Sequence, residues 1–315
     1  MSNAKIFIVG SFVVACTVAV DALPQPGESL EAKAFLLEAG GKGLNLAIAA
    51  RRLGASVDGL FAIGDDMLSG LASSAFQRAD LPVSMLRHKA GPTGGGVGFI
   101  APNGETCLAV APGANGALCA ADVHTASAAI AAAHSCLAQF EVADEPIAEA
   151  FAIARRAGRL TVLNPSPFRR PSDAVLALTS VLCVNTPEAE GLARALFGGR
   201  ASTVSDGFRE LAAAVFALGP EALVITSGRS GATVWRRDAE PHFQPAFLID
   251  AVDTLGAGDA FAAGVAVGLA EGRAWPEVMR LAAACGALTA ARAGTFDALP
   301  AREAVDAMLS RAATA

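Results

Sequence analysis

Basic residues are scarce in this chain. Among 315 residues there are four lysines (Lys5, Lys33, Lys42 and Lys89), scattered arginines and a net charge of −6. A nucleic-acid partner calls for a basic stripe, and none is present. Long apolar runs are missing too. Although 53% of the residues are hydrophobic, Arg, Glu, Gly and Pro break every run before the about 18 residues that a membrane span needs. The opening MSNAKIFIVGSF lacks a basic segment followed by a long apolar one, so no secretory signal is expected. The six cysteines (Cys16, Cys107, Cys119, Cys136, Cys183 and Cys285) form no CxxC pair. In runs such as SVLCV they read as reduced core residues, not disulfides or metal ligands. The four histidines (His88, His124, His134 and His242) show no metal-ligand spacing. These absences leave a cytoplasmic enzyme with a small-molecule partner as the expectation.

What is present is an alternation. KIFIV (5–9), VDGLFAI (57–63), SCLAQF (135–140), LTVLN (160–164), SVLCVN (180–185) and EALVIT (221–226) read as buried strands. ADVHTASAAIAAA, EPIAEAFAIARRAG, TPEAEGLARALF and DGFRELAAAVFALG read as helices, with opening signals at Asp122, Pro146, Pro187 and Asp206. Strand–helix alternation predicts an α/β fold with a doubly wound, mainly parallel sheet and helices on both faces. Two stretches break the rhythm, 12–38 and 93–111, and both look β-rich. The second carries a hairpin signal at Asn103-Gly104. They are expected to form a small β-sheet lid made of two excursions from a core of residues 1–11, 39–92 and 112–315. No internal repeat or low-complexity linker is evident.

Two glycine turns lead into apolar helices. DTLGAGD (253–259) precedes AFAAGVAVGLAEG, where backbone N–H groups and the helix dipole form an anion site. A dinucleotide fingerprint is disfavoured because its third glycine position holds Phe261. No window supplies a Walker A loop. Two readings of the residues stay open. The turn stabilises charge on a transferring group with Asp259 as base, or Asp259 caps the helix and the glycines only form the turn. The second turn, AGGKGLN (39–45), places Lys42 and Asn45 at a helix mouth, where they are expected to face a ligand.

Taken in order, these and further motifs resemble the ribokinase-like (PfkB) carbohydrate kinase family. The resemblance is carried by Val9-Gly10-Ser11, LPQPGES (23–29), GGKGLNLAIAARRLGA (40–55), IGDDMLSG (63–70), LNPSP (163–167), VNTPEAE (184–190), ITSGRSG (225–231) and DTLGAGDAFAAG (253–264). GGKG is closest to ribokinases. The resemblance implies ATP-dependent phosphorylation of a hydroxyl on a small sugar or sugar-like substrate. It implies Asp259 as general base, with Leu255, Gly256, Ala257 and Gly258 as the anion hole. Asn185, Thr226, Ser227, Gly228, Gly231 and Gly258 match ATP contacts. Glu188 matches a Mg²⁺ site reached through water, with a helix-start acid as its ordinary alternative. Asp253, Leu255, Thr289, Arg292 and Gly294 match a K⁺ site built from backbone oxygens. Gly41, Lys42, Asn45 and Glu141 match sugar contacts. A homodimer formed through the lid is also implied.

One motif departs from the family pattern. The family's first strand continues G-S-x-N-x-D, and that Asp grips sugar hydroxyls. Here the run is GSFVVAC, with Val13 and Ala15 at those two positions. Losing a buried polar contact changes substrate preference strongly. The favoured expectation is a poor ribokinase whose acceptor turns a deoxy position or apolar group toward residue 15, as a deoxysugar or nucleoside would. The other route is that a second lid residue, or one from a partner subunit, supplies the contact. A kinase for phosphorylated sugars would need a basic lid, and only Lys33, Arg87, His88 and Lys89 lie near. From another class, a catalytically silent sugar-binding regulator also fits the altered motif, though the intact DTLGAGD argues against it.

Overall fold

The computed structural model describes residues 4–102, 106–198 and 208–311. The chain begins with β1 (Lys5–Ser11), β2 (Val13–Ala19), β3 (Ala34–Gly40), α1 (Lys42–Arg52), β4 (Ser56–Ile63), α2 (Ser69–Arg78) and β5 (Leu86–His88). It continues through β6 (Gly94–Ile100), β7 (Thr106–Ala111), α3 (Ala120–Thr125), α4 (Ser127–Ala132), β8 (Ser135–Gln139), α5 (Asp144–Arg156), β9 (Leu160–Asn164) and α6 (Asp173–Ala177). It closes with β10 (Val181–Asn185), α7 (Thr186–Leu196), α8 (Arg209–Leu218), β11 (Ala222–Thr226), β12 (Ala232–Arg236), β13 (Ala239–Gln244), α9 (Ala257–Ala270), α10 (Trp275–Ala290) and α11 (Arg302–Arg311).

Nine strands form one sheet in the order β13-β12-β11-β10-β9-β8-β1-β4-β5. Pairing is parallel from β11 across to β5, and β12 and β13 add an antiparallel hairpin at the opposite edge. The parallel strands are apolar throughout because both faces are covered. In β1, Ile6 and Ile8 join the core under α1, α2, α9, α10 and α11. Their neighbours Phe7 and Val9 join the core under α3 to α8. The winding direction reverses between β1 and β8. Ligands in such sheets bind beyond the carboxyl ends of strands at that switch point.

The two β-rich excursions form a separate four-stranded sheet, β3-β2-β6-β7. Asn103-Gly104 lies outside the described residues, and the strands flanking it pair antiparallel from Gly95↔Ala111 to Ile100↔Thr106. Asn115 pins the roots of both excursions. Its side chain accepts from Phe12 N (3.0 Å) and donates to Phe12 O (2.8 Å) and Pro112 O (2.9 Å).

The helix expected over 121–133 is broken at Ala126 into α3 and α4. The Thr125 and Ser127 hydroxyls donate back to Asp122 O and His124 O, which competes with regular helix bonding. Asp206 lies outside the described residues. The following helix starts after Phe208, whose backbone is left-handed (φ 60°).

At the far end of the molecule Glu271 ties three helices together. It accepts from Arg302 Nη1 (2.7 Å) and Arg273 Nε (2.6 Å), while Arg302 also donates to Leu53 O (3.1 Å). Burial pushes the Glu271 carboxyl up, but the hydrogen bonds and charges of Arg302 and Arg273 outweigh it, and the net effect holds it below its ordinary value. Its stabilisation is therefore present above the ordinary carboxylate range and is lost as pH falls through the lowered value. Arg302→Ala should cost about 1–3 kcal/mol, read as a lower urea midpoint, and should move acid unfolding to higher pH. An unchanged midpoint would show that the clamp adds nothing.

Candidate active site

The chain reaches the N-terminus of α9 through a pinned turn. Val252 N and Asp253 N both donate to Ala290 O at the end of α10 (2.8 and 3.2 Å). The Asp253 carboxylate accepts from Leu255 N (2.9 Å) and Gly294 N (3.1 Å). Gly256 then adopts φ 78°, a left-handed conformation that glycine takes without a Cβ penalty. The first amides of a helix lack intrahelical partners. Ala257 N donates to Thr254 O (3.2 Å), whereas the amides of Gly256, Gly258 and Asp259 have no partner among the described residues. Of the four expected anion-hole residues, Leu255 and Ala257 thus have amides that are already engaged, which leaves those of Gly256 and Gly258.

Asp259 lies in the first turn of α9, 4% exposed. It makes no cap to its own helix. Its carboxylate instead faces α1, accepting from Asn45 Nδ2 at 2.8 Å with Lys42 Nζ 3.9 Å away. Lys42 and Asn45 are three residues apart on a helix, so both reach the same side. Asn45, expected to face a ligand, is buried against the Asp259 carboxylate.

The start of α1 is equally fixed. Gly41 has φ 106°, and a Cβ on Gly43 would lie 2.0 Å from Ser11 N, so α1 can sit this close to the end of β1 only with glycine there. The Ser11 hydroxyl accepts from Gly43 N (3.0 Å) and Gln139 Nε2 (2.9 Å) and donates to Glu141 Oε2 (2.6 Å). The same Glu141 oxygen accepts from Lys42 N (2.8 Å). Glu141, expected on the sugar, therefore engages the positive end of α1 through Oε2. This knot sits at the switch point between β1 and β8.

Across the crevice, Asn185 and Glu188 form a reciprocal capping box on α7. Glu188 N donates to Asn185 Oδ1 (2.8 Å) and Asn185 N to Glu188 Oε2 (2.9 Å). The helix-start role of Glu188 is thus real, and Oε1 is left over. Thr226 ends β11 beside it. The loop beyond closes on itself through Ser227 N to Gly231 O (2.8 Å) and Gly231 N to Gly228 O (3.1 Å). Thr186 Oγ1 lies 3.0 Å from Ser227 Oγ and joins loop to helix. Thr289 is fully buried, its hydroxyl on Cys285 O and its carbonyl accepting from Arg292 N. Together with Asp253, Leu255 and Gly294 it forms one patch behind the turn.

These parts open on a cleft of about 830 Å³. Lys42, Asn185, Glu188, Thr226, Gly258 and Asp259 are on its wall; Ser227, Gly228 and Gly231, and likewise Gly41, Asn45 and Glu141, lie outside the lining. The small sheet contributes Ile100. The lining also holds residues that had been given no role in the site, Ser166 of LNPSP, Phe261 of DTLGAGDAFAAG, and Cys183. Asn164 holds that lining through Nδ2 to Cys183 O (3.0 Å), and only LNPSP signalled it. Burial pushes the Cys183 thiol up to about 12, so it stays an inert thiol. Among the described residues no three His, Cys, Asp or Glu side chains form a metal-holding cluster.

Free helix amides over a buried, ionisable carboxylate, at the carboxyl edge of a doubly wound sheet, define a group-transfer site suited to anionic groups. A family model for pfkB family carbohydrate kinases matches residues 3–302, and the chain belongs to that family. It is 31% identical to a ribokinase of Haemophilus influenzae over 94% of this chain and 95% of that protein. It is also 31% identical to a deoxyribokinase of Salmonella typhi over 81% and 82%. A crystal structure of ribokinase from Thermotoga maritima superposes with a TM-score of 0.87 at 27% identity, over 98% of this chain and 99% of that one.

Asp259 raises the pKa of Lys42 above the ordinary lysine value; burial opposes the shift, and Glu141 and Glu188 add to it. The charged form of Lys42 thus adds stability below the ordinary lysine value, and that stability is lost as pH rises through the raised value. Asp259→Asn should bring the Lys42 pKa down, because its largest raising influence goes and burial remains. A Cε titration by NMR, simplified by there being only four lysines, reads this directly. An unmoved Lys42 would separate the two groups.

Proposed function

We propose that the protein is an ATP-dependent sugar kinase in which Asp259 takes the proton from the accepting hydroxyl. The observation that carries this reading is a buried carboxylate set directly behind a helix N-terminus with unpartnered amides. Phosphoryl transfer needs alignment and charge stabilisation more than covalent chemistry. The amides of Gly256 and Gly258, with the dipole of α9, stabilise charge on the moving group. Asn45 fixes the Asp259 carboxylate, and the Lys42 ammonium stands 3.9 Å from it. Lys42 also lines the cleft, where its charge serves the phosphates.

ATP spans the cleft toward Thr226 and the 227–231 loop, with Asn185 beside the phosphates. The residues present fit Mg²⁺: Glu188 keeps Oε1 uncommitted on the cleft wall and would hold the ion through water. Bound Mg²⁺ supplies charge neutralisation between the phosphates. Backbone oxygens of Asp253, Leu255, Thr289, Arg292 and Gly294 would hold K⁺ behind the turn.

The small sheet serves as the lid. Phe35, Leu37 and Val97 are exposed on one face, and Leu36, Ile100 and Val110 on the other. An exposed apolar sheet invites a partner. One face covers the acceptor, and a second copy of the chain covers the other, giving a homodimer. The described cysteines are all unpaired, which suits the cytosol. No helix among the described residues is long and apolar enough to cross a membrane.

Asp259→Asn should lower kcat for sugar-dependent ADP release by about 10²–10⁴-fold while sugar still binds by calorimetry. A loss under tenfold would remove Asp259 as the base. Phe35→Asp should turn the dimer into a monomer in sedimentation; a wild-type monomer would sink the lid interface.

A further inference from the structure

The four strands of the small sheet read VVACTVA, AFLLEAG, GGGVGFI and TCLAVA. Glu38 is the only charged residue in all of them. Glutamate is depleted in strands, and a local exception of this kind marks a place where function outweighs local preference. The Glu38 side chain is exposed and makes no hydrogen bond or ion pair among the described residues.

The register says where that carboxylate stands. β2 and β3 pair antiparallel with Ala15 directly opposite Glu38. β2 and β6 pair parallel with Ala15 beside Gly96, and Ala19 beside Ile100. Side chains alternate faces along a strand. Ala15, Ala19, Glu38, Gly96 and Ile100 therefore share one face, and Ile100 places that face on the cleft. Directly opposed Cβ atoms lie about 4.5–5.5 Å apart, within the span of a glutamate side chain. Ala15 offers only a methyl group and Gly96 no side chain; a Cβ on Gly96 would meet Val110 Cγ2 at 3.4 Å and Val13 Cγ1 at 3.8 Å, so the row is flanked by valines and Glu38 brings its one carboxylate.

We propose that Glu38 grips acceptor hydroxyls from β3, supplying the carboxylate that residue 15 lacks. This rests on the sugar-kinase reading. A carboxylate accepts two hydroxyl hydrogen bonds at once, so the acceptor class is a sugar presenting adjacent hydroxyls to the lid. A deoxy analogue would leave an oxygen unpaired in the closed site and be rejected. The competing role is edge protection: β3 is an edge strand, and a charge there blocks pairing with other chains.

The test uses the best acceptor from a panel of pentoses and hexoses, together with its monodeoxy analogues. Glu38→Ala should lower kcat/KM for the parent sugar by about 10–100-fold, as expected for a hydrogen bond to a charged group. The two monodeoxy analogues that each lack one of the adjacent hydroxyls should lose less than the parent, because only one bond to Glu38 remains to be lost, whereas analogues deoxygenated elsewhere should lose as much as the parent. Adding Ala15→Asp to Glu38→Ala should restore at least tenfold. Unchanged kinetics with new aggregation would assign Glu38 to edge protection, and an equal loss on every analogue would overturn the contact. Calorimetry in an Asp259→Asn background reads binding without turnover. If Glu38→Ala weakens sugar binding there while the wild type phosphorylates nothing, the kinase reading falls and the Glu38 contact stands. If binding is unchanged while the wild type turns over, the reverse holds.

Discussion

The cleft depends on how closely α1 sits on the end of β1. A side chain at residue 43 would strike backbone, so Gly43 brings the helix start within reach of the Ser11 hydroxyl. From that seat Lys42 and Asn45 extend to Asp259 on α9, far away in sequence. A carboxylate this buried is tolerable only when paired or hydrogen-bonded, and α1 supplies both. The contact that orients the Asp259 carboxylate is thus the same one that docks the two helices.

Ser11 extends this arrangement to the sheet. Its one hydroxyl joins α1, Gln139 at the end of β8, and Glu141 just beyond. A buried network in which every member is satisfied rigidifies its surroundings. The switch point of the sheet is therefore set by hydrogen-bond geometry as well as by packing. The other wall is built by a different device, the Asn185–Glu188 box, which closes α7 and still leaves one oxygen toward the cleft. On this wall the group that caps the helix also borders the cleft, whereas Ser11 and Glu141 hold the start of α1 from outside the lining.

Much of this was legible in the residues. The six apolar runs became β1, β4, β8, β9, β10 and β11 because doubly covered strands have no polar face to confuse the signal. DTLGAGD announced a helix start over an acid, and the two interrupting stretches announced a second sheet. The β12–β13 hairpin was not anticipated: its loop, Arg237-Asp238, carries no glycine or asparagine, and its strands mix Arg, Glu and His with apolar residues. The break at Ala126 needed hydroxyl back-bonding that composition hides. Asn45 read as ligand-facing because a single helix shows which side a residue is on but not what stands there. Glu38 was silent for a related reason: its meaning lies in being opposite Ala15, and strand register is a tertiary fact.

Helix α9 has almost no solvent face. Residues 259–268 are buried, and Gly264 lies so near α10 that a Cβ would come 2.8 Å from Ala282 Cα. Such a rod cannot be adjusted piecemeal, since moving it disturbs α1, α10 and the sheet together. The small sheet is the opposite, thin, exposed and rooted at one asparagine. Residues on the sheet can therefore be exchanged while the Asp259 carboxylate stays locked in the interior. The exchange of an acid between neighbouring strands is the kind of change such a division of labour permits.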